Sequence, residues 1–233
     1  MHEMLNTAHS RRAMVKNMGI LAGALAVPSA VSATMQRLTQ EQLKPVTQPP
    51  VPGFPSPAAP ITSSKVIRPQ LLRRAMAALD QQGSRVKRDR MAIADFAAPS
   101  AQPRFHLIDL LNGSSKSFLV AHGSGSDPSH TGWLQRFSNQ EGSNASCEGA
   151  FATSGYYVGK HGQSQRLIGL EETNNNALSR AIVVHGAWYS NPDMIRTHGM
   201  LGRSQGCFAV AEGDLEQVFA RLGEGRMIYA AKV

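Results

Sequence analysis

The segment Arg203-Ser204-Gln205-Gly206-Cys207-Phe208 carries the strongest signal in this 233-residue chain, because it places a cysteine directly after a glycine. Upstream, the apolar run Ala181-Ile182-Val183-Val184 ends in His185-Gly186, which predicts a buried strand that delivers a histidine. A nearby imidazole favours the reactive thiolate form of a cysteine. Gly206 permits a sharp turn in which N–H groups around Cys207 point at one spot, as an oxyanion hole requires. The pattern predicts a cysteine acyltransferase or peptidase.

Around this segment, the chain from Arg90 onward has the pattern of short strands with Gly-rich connections. Such a pattern predicts a mainly β fold, a sandwich or a curled sheet. Asn112-Gly113 is a strong hairpin signal between two of the strands. The predicted strands are residues 91–96, 104–111, 116–122, 149–153, 155–159, 166–171, 181–185 and 227–231.

Helices are predicted at two places in this part of the chain. Leu215, Val218, Phe219 and Leu222 recur at helical spacing and predict a helix over residues 212–222, and a shorter helical turn is expected near residues 175–180. The connections 123–144 and 187–202 are long for a compact domain. Loops of that length are often functional, so both are candidates for lining a site.

Residues 1–33 resemble a twin-arginine signal peptide. Arg11 and Arg12 lie in the segment Ser10-Arg11-Arg12-Ala13-Met14-Val15-Lys16, and a mildly apolar run follows to Ala33. The run is shorter than the roughly 20 residues of a bilayer span, and Pro28 interrupts it. We therefore expect export to the periplasm or cell envelope, with no stable membrane span after the signal is cleaved. An uncleaved N-terminal anchor is the alternative.

Residues 34–69 have the composition of a disordered, Pro-rich linker. Seven prolines fall between Pro45 and Pro60 without apolar periodicity, so this segment cannot bury a core. Pro69 then suits the first turn of a helix, and the apolar spacing that follows predicts a short helix over residues 70–84, which Gly83 ends. The catalytic domain is expected over residues 85–233.

The charge and the cysteine count narrow the function classes. The formal net charge is +8, and about +6 remains without Arg11, Arg12, Lys16 and Glu3 of the leader. This favours an anionic partner such as a cell-wall polymer. No nucleic-acid partner is expected, because the sequence has no base-stacking motif or basic stripe. Cys147 and Cys207 could pair in an oxidising compartment, but their different settings favour a free, reactive Cys207.

Taken together, these residues resemble a known family. His185-Gly186, the segment from Thr197 to Cys207 and the earlier Asp95-Phe96 are similar to the L,D-transpeptidase catalytic domain. They resemble the branch of the YkuD-type superfamily that has a His-Gly…Gly-Arg-Ser-x-Gly-Cys signature. The resemblance spans about residues 85–233. It implies a YkuD-like curled β-sandwich with short helices, which acts on peptidoglycan stem peptides.

The resemblance also implies the roles of individual residues. Cys207 would be the nucleophile, His185 its base, and the carbonyl of Gly186 would hold the imidazole in the correct tautomer. Backbone N–H groups of Cys207, Gly206 and Gln205 would form the oxyanion hole. The wider superfamily usually has a histidine before the Gly-Cys pair and a polar or basic residue two positions after the cysteine. Because Gln205 and Ala209 stand there, no side-chain contact is carried over from those positions. No cofactor and no metal is implied.

Five further residues are candidates for substrate contacts. Arg203 could clamp a stem-peptide carboxylate or form an ion pair, and Ser204 could bond its own turn. His122 could face the cleft, although a lone histidine is more often structural. His198 is a weaker candidate for the base than His185, because a histidine on a loop is held less rigidly than one on a strand. Tyr189 could line the substrate groove or pack beneath its loop.

The expected activity is formation of 3-3 cross-links through a thioester acyl-enzyme. If water instead of an amine resolves the acyl-enzyme, the product is that of an L,D-carboxypeptidase trimming tetrapeptide stems, and the residues do not separate the two. A zinc site made from the histidines and Cys207 is disfavoured because no closely spaced ligand pair anchors it. A non-catalytic wall-binding module would leave the His-Gly and Ser-Gln-Gly-Cys arrangement unexplained. We expect a monomer.

Overall fold

The computed structural model describes residues 67–233. The predicted export signal of residues 1–33 and the predicted linker up to residue 66 lie outside the described residues. Within residues 67–233, no helix combines the length and the apolar character needed to cross a bilayer.

In the described part of the chain, nine strands form one sheet and three α-helices accompany it. The sheet order is β3-β2-β1-β9-β5-β6-β7-β8-β4. The mainly β fold is therefore confirmed. The strands are β1 (Lys87–Asp95), β2 (Phe105–Asp109), β3 (Ser115–Phe118), β4 (Val120–Ala121), β5 (Gly149–Gly159), β6 (Gly162–Gly169), β7 (Val183–Gly186), β8 (Phe208–Val210) and β9 (Arg226–Ala231), and the helices are α1 (Pro69–Gln82), α2 (Pro192–His198) and α3 (Leu215–Leu222).

The sheet must curl strongly because β3 and β4 are its two opposite edges. Only Leu119 separates the end of β3 from the start of β4, so the chain passes from one edge to the other within a single residue. The two edges therefore lie side by side, and the concave side of the sheet encloses a core. Aromatic side chains from both halves fill this core, among them Phe105, Phe118, Phe151 and Phe208.

Helix α1 covers a second, smaller core on the other face of the sheet. Pro69 begins it with a φ that suits a first helical turn, and Gly83 follows its end with a φ of +52°. Its buried residues Leu71, Ala75 and Leu79 recur at a spacing of four and pack in one cluster with strand residues such as Met91 and Met227. The helix overlaps the predicted range 70–84.

Several local predictions need correction. The predicted strands 149–153 and 155–159 are one strand, β5, with a register shift between Thr153 and Tyr156 that resembles a bulge. Residues 175–180 form consecutive turns and not a helix. The predicted loop 187–202 contains α2, which Pro192 begins and Gly199 ends with a φ of +72°. The predicted helix 212–222 starts as a 3-10 turn over Glu212–Asp214 and continues as α3.

Two strand pairs are parallel, β1 with β9 and β7 with β8, and the sequence pattern did not predict either. The second pair matters for function. Val184 pairs with Phe208, and His185 pairs with Ala209. Cys207 directly precedes Phe208, the first residue of β8. Cys207 and Ala209 share a face because strand side chains alternate, and His185 shares the face of its partner Ala209. Parallel pairing therefore brings Cys207 and His185 to the same side of the sheet.

Candidate active site

The turn that carries Cys207 is fixed by its neighbours. Gly206 has a φ of +110°, and a Cβ there would lie 2.6 Å from the carbonyl oxygen of Ala145, so only glycine fits this position. The Ser204 hydroxyl donates to the carbonyl of Cys207 at 2.7 Å and accepts the N–H of Gly206 at 3.1 Å. The Ser204 N–H also donates to the carbonyl of His122 at 2.9 Å. These contacts hold the cysteine in one place before a substrate arrives.

His185 is held in one tautomer by the main chain. Its Nδ1 lies 2.9 Å from the carbonyl oxygen of Gly186, so Nδ1 carries the proton and donates it. Nε2 is then the basic nitrogen. The side chain is only 1% exposed, and burial lowers the pKa of His185 below its usual value, although the Gly186 contact opposes this shift.

The pKa values of Cys207 and His185 shift in opposite directions. Burial raises the pKa of the Cys207 thiol, while the Val183 N–H and the charges of Lys160 and Arg180 act to lower it. A raised thiol pKa and a lowered imidazole pKa together favour a neutral pair at neutral pH. In the structure, the Cys207 thiol donates to the main-chain carbonyl of Ala181 at 3.5 Å.

A cavity of about 590 Å³ lies over this pair. The predicted residues Cys207, His185, Tyr189, Arg203, Ser204 and Gln205 line it. Cations dominate its charged lining, with Lys160, Arg180 and Arg203 against Glu141. A cleft with this lining favours a ligand that carries a carboxylate.

A family model described as the L,D-transpeptidase catalytic domain (YkuD_2) matches residues 63–231 of the chain. The chain belongs to this family. The resemblance of the sequence to L,D-transpeptidases is thereby confirmed, and so is the YkuD-like fold class. No curated protein matches the sequence.

Solved L,D-transpeptidase structures are similar to the chain at low identity. An L,D-transpeptidase from Xylanimonas cellulosilytica is 15% identical, with 68% of this chain and 69% of that chain covered and a TM-score of 0.37. An L,D-transpeptidase from Mycobacterium tuberculosis is 14% identical (62% and 58% covered, TM-score 0.37). The helical cell shape determining protein Pgp2 from Campylobacter jejuni is 11% identical (66% and 53% covered, TM-score 0.41). The chain spans about three fifths of the length of the mycobacterial L,D-transpeptidases that it matches.

His122 is not a cleft residue of this L,D-transpeptidase domain, and that prediction is wrong. Its side chain is 1% exposed and lies between two other buried groups, with Nδ1 2.7 Å from Arg104 and Nε2 3.3 Å from Asp127. Burial and the Arg104 charge lower the pKa of His122 to about 4, with Asp127 opposing. Burial also lowers the pKa of Arg104, to about 9, so Arg104 remains cationic at neutral pH. The three residues form a structural cluster behind the Cys207 turn.

Two other predicted contacts, those of His198 and of the Gly206 N–H, also differ in the structure, whereas Ser204 bonds its own turn as one of its two interpretations expected. His198 is the last residue of α2, is exposed and does not line the cavity. The zinc alternative loses its support, because His122 and His198 lie away from the cavity that His185 and Cys207 share. Ser204 bonds its own turn, which uses its hydroxyl, and the same contact occupies the N–H of Gly206. The predicted oxyanion donor Gly206 is therefore already engaged.

Arg203 and Tyr189 remain candidates for substrate contacts. Both line the cavity. Arg203 donates from Nη1 to the main-chain carbonyls of Asp127 and Pro128, neither of which lines the cavity. Burial, with a smaller effect of Cys207, raises the pKa of Tyr189 to about 12, so its hydroxyl stays protonated and can donate.

Lys160, His161 and Arg180 are among the cavity residues that sequence reasoning missed. Lys160 and His161 form the two-residue turn between β5 and β6, where Gly159 pairs with Gly162. The Gly-Lys-His-Gly pattern could have predicted this hairpin turn. A local pattern does not predict which other strand the tip of a hairpin contacts. Arg180 donates to the carbonyls of Ser138 and Ala145 at 2.7 and 2.6 Å, and so it braces the loop beneath the Cys207 turn.

The two cysteines are separate thiols in this structure. Cys147 is 1% exposed, packs in the main core and lies against the Arg180 guanidinium. Burial raises its pKa. Cys207 borders the cavity. Of the two, only Cys207 is placed to meet a substrate.

Proposed function

We propose that this chain is a cysteine-dependent L,D-transpeptidase that acts on peptidoglycan stem peptides. The observation that carries the proposal is the placement of Cys207 and His185 on one face of the sheet beneath a common cavity, with His185 tied through Nδ1 to the Gly186 carbonyl. That geometry leaves Nε2 as the base for the thiol. The family to which the chain belongs supports the same chemistry.

In the proposed acylation step, His185 Nε2 takes the proton of Cys207 as Sγ attacks the carbonyl of the third stem residue. The Sγ–C bond forms, the C–N bond to the fourth residue breaks, and the imidazolium returns the proton to the leaving amine. The N–H groups of Cys207 and Gln205 are the proposed donors to the oxyanion, since the N–H of Gly206 is bound to Ser204. One such donor is worth roughly 3 kcal/mol in the transition state.

In the proposed second step, an amine of a neighbouring stem attacks the thioester, gives its proton to His185 and releases the Cys207 thiol. The net charge of about +6 that remains without the leader charges Arg11, Arg12, Lys16 and Glu3 favours residence on an anionic wall, where such amines are concentrated. An oriented amine competes with water in proportion to its effective concentration. We therefore favour 3-3 cross-linking over hydrolysis, the L,D-carboxypeptidase alternative.

Product analysis separates these functions. The full-length chain is incubated with tetrapeptide muropeptide monomers and dimers, and products are identified by mass spectrometry. We expect 3→3-linked dimers from the wild type and from Cys147→Ser, and none from Cys207→Ala. Tripeptides without any 3→3-linked species would make the protein a carboxypeptidase. Unchanged muropeptides with the wild type would favour a non-catalytic wall-binding module.

We also propose that the chain reaches the periplasm through the twin-arginine pathway. The support is the sequence Ser10–Lys16 with its paired Arg11 and Arg12, which lies outside the described residues. Replacing both arginines with lysine should retain the protein in the cytoplasm, as measured by cell fractionation. Periplasmic recovery of the double variant in cells that lack the twin-arginine translocase would contradict this route.

A further inference from the structure

A second imidazole lies directly against the proposed base. The ring of His161 stacks on the ring of His185, with centroids 4.4 Å apart and an angle of 24° between the planes. His161 belongs to the tip of the hairpin between β5 and β6, whereas His185 lies on β7. His161 is itself exposed, while His185 beneath it is only 1% exposed. The hairpin tip therefore covers one face of the base.

One hydrogen bond alone leaves an imidazole free to tilt about that bond. The bond from Nδ1 to the Gly186 carbonyl fixes one edge of the His185 ring. A flat contact over the ring face restrains the remaining tilt, since two stacked rings keep their planes nearly parallel. The direction of Nε2 then depends on both contacts. Supporting groups of this kind decide whether a catalytic side chain is held closely enough to its working geometry.

We propose that His161 is a positioning residue for His185: its ring packs flat against the imidazole of the base and keeps Nε2 directed toward Cys207. This inference rests on the role of His185 as the base in the function proposed above. The stack presents the face of the His161 ring, not a nitrogen lone pair, to His185.

The contact also has an electrostatic consequence. The titratable groups that line the cavity with His185 include His161 and Lys160 from the hairpin, Cys207 from the turn before β8, and Tyr189 from the segment after β7. After burial, His161 and Lys160 both act to lower the pKa of His185. Burial and Lys160 lower the pKa of His161 in turn. Two stacked imidazoles resist double protonation, so the base stays neutral to a lower pH.

Histidine ring titration by NMR on the full-length chain tests the coupling without any substrate. The His185 signal is identified by its loss in His185→Gln. In His161→Ala we expect the titration midpoint of His185 to rise, because a neighbouring charge and part of the cover are removed; in His161→Phe we expect a smaller rise, because only the charge is removed. His198→Ala is the matched control and should leave the midpoint unchanged, since His198 is exposed and does not line the cavity.

Steady-state release of D-Ala from tetrapeptide muropeptides tests the positioning itself. His161→Ala should lower kcat roughly tenfold, because the base loses its orientation toward the thiol. KM should change little, because substrate binding is not affected. His161→Phe keeps a flat ring and should recover most of kcat. A His185 midpoint that is identical in wild type, His161→Ala and His161→Phe would overturn the inference, as would equal kcat values in all three. If the midpoint moves but the wild type releases no D-Ala, the coupling of the rings is supported and the proposed function fails.

Discussion

His122 and His185 lie at the ends of short strands, each directly before a glycine, and both side chains are 1% exposed. Their ring nitrogens meet different surroundings. Both nitrogens of His122 are engaged, one by Arg104 and one by Asp127. His185 has one nitrogen bound to the Gly186 carbonyl, and its ring borders the cavity that it shares with Cys207. A buried histidine serves as a base only where one nitrogen remains available to the reacting group.

The difference arises from the strand to which each histidine belongs or is joined, and from what that strand pairs with: His122 directly follows β4, and His185 lies on β7. β4 is an edge strand of two residues, and the buried Arg104 lies where the two edges of the sheet meet. A guanidinium buried there requires acceptors, and the Val120 carbonyl and the His122 ring supply them. β7 pairs in parallel with β8, which places the Cys207 turn beside His185. The same His-Gly pattern therefore belongs to a buried structural cluster at one site and to the proposed catalytic pair at the other.

The largest expected effect comes from removing the base. His185→Ala should reduce release of D-Ala by about a thousandfold, which is typical for the loss of a general base. His198→Ala should stay within about twofold of wild type, because His198 is exposed and outside the cavity. Steady-state assays on tetrapeptide muropeptides measure both. A larger loss in His198→Ala than in His185→Ala would reverse the assignment of the base.

The second effect concerns stability and not turnover. His122→Ala should lower the free energy of unfolding by about 2–3 kcal/mol, because it leaves a buried cavity and takes one hydrogen-bond partner from each of the buried Arg104 and Asp127 side chains. The kcat of the folded variant should stay within about threefold of the wild-type value. The main-chain carbonyl of residue 122, which accepts the Ser204 N–H, is still present in the variant. Urea unfolding and steady-state assays give the two values. Loss of turnover without loss of stability would contradict the division between the two histidines.

A smaller effect is expected in the dependence of stability on pH. The pKa of His122 in the folded protein, about 4, lies below the unfolded value of 6.5. The unfolded chain therefore binds the proton first as the pH falls, so the contribution of His122 is complete above pH 6.5 and is lost toward pH 4. In His122→Gln, the free energy of unfolding should fall less steeply over that window. Identical slopes in urea unfolding series at several pH values would show that His122 is not held neutral.

Local patterns predicted much of this molecule because the relevant forces act between neighbours in sequence. The alternation of apolar residues and the Asn112-Gly113 turn predicted the β2–β3 hairpin. The Asp109 N–H donates to the carbonyl of Ser114, and four residues, 110–113, lie between these two. The apolar run before His185 predicted β7. The Gly206-Cys207 turn was predicted as sharp, and the φ of Gly206 agrees.

What sequence reasoning missed depends on contacts between distant segments. The stack of His161 on His185 requires the β5–β6 hairpin to pair with β7, which no local pattern specifies. The burial of His122 requires Arg104, which lies 18 residues away in sequence. Helix α2 was missed because its seven residues have no buried apolar side chain, so they lack an amphipathic signal. The expectation that Ser204 bonds its own turn is confirmed. The sequence did not predict that the Ser204 hydroxyl accepts the N–H of Gly206.

Trapping the acyl-enzyme tests the central proposal most directly. The full-length chain is mixed with a tetrapeptide donor and no amine acceptor, quenched in acid within seconds, and examined by intact mass and peptide mapping. We expect a mass increase equal to the tripeptide acyl group on the peptide that contains Cys207, also in His122→Ala, and no such adduct in Cys207→Ala or on that time scale in His185→Ala. An adduct on Cys147, or one that forms equally fast without His185, would contradict the account.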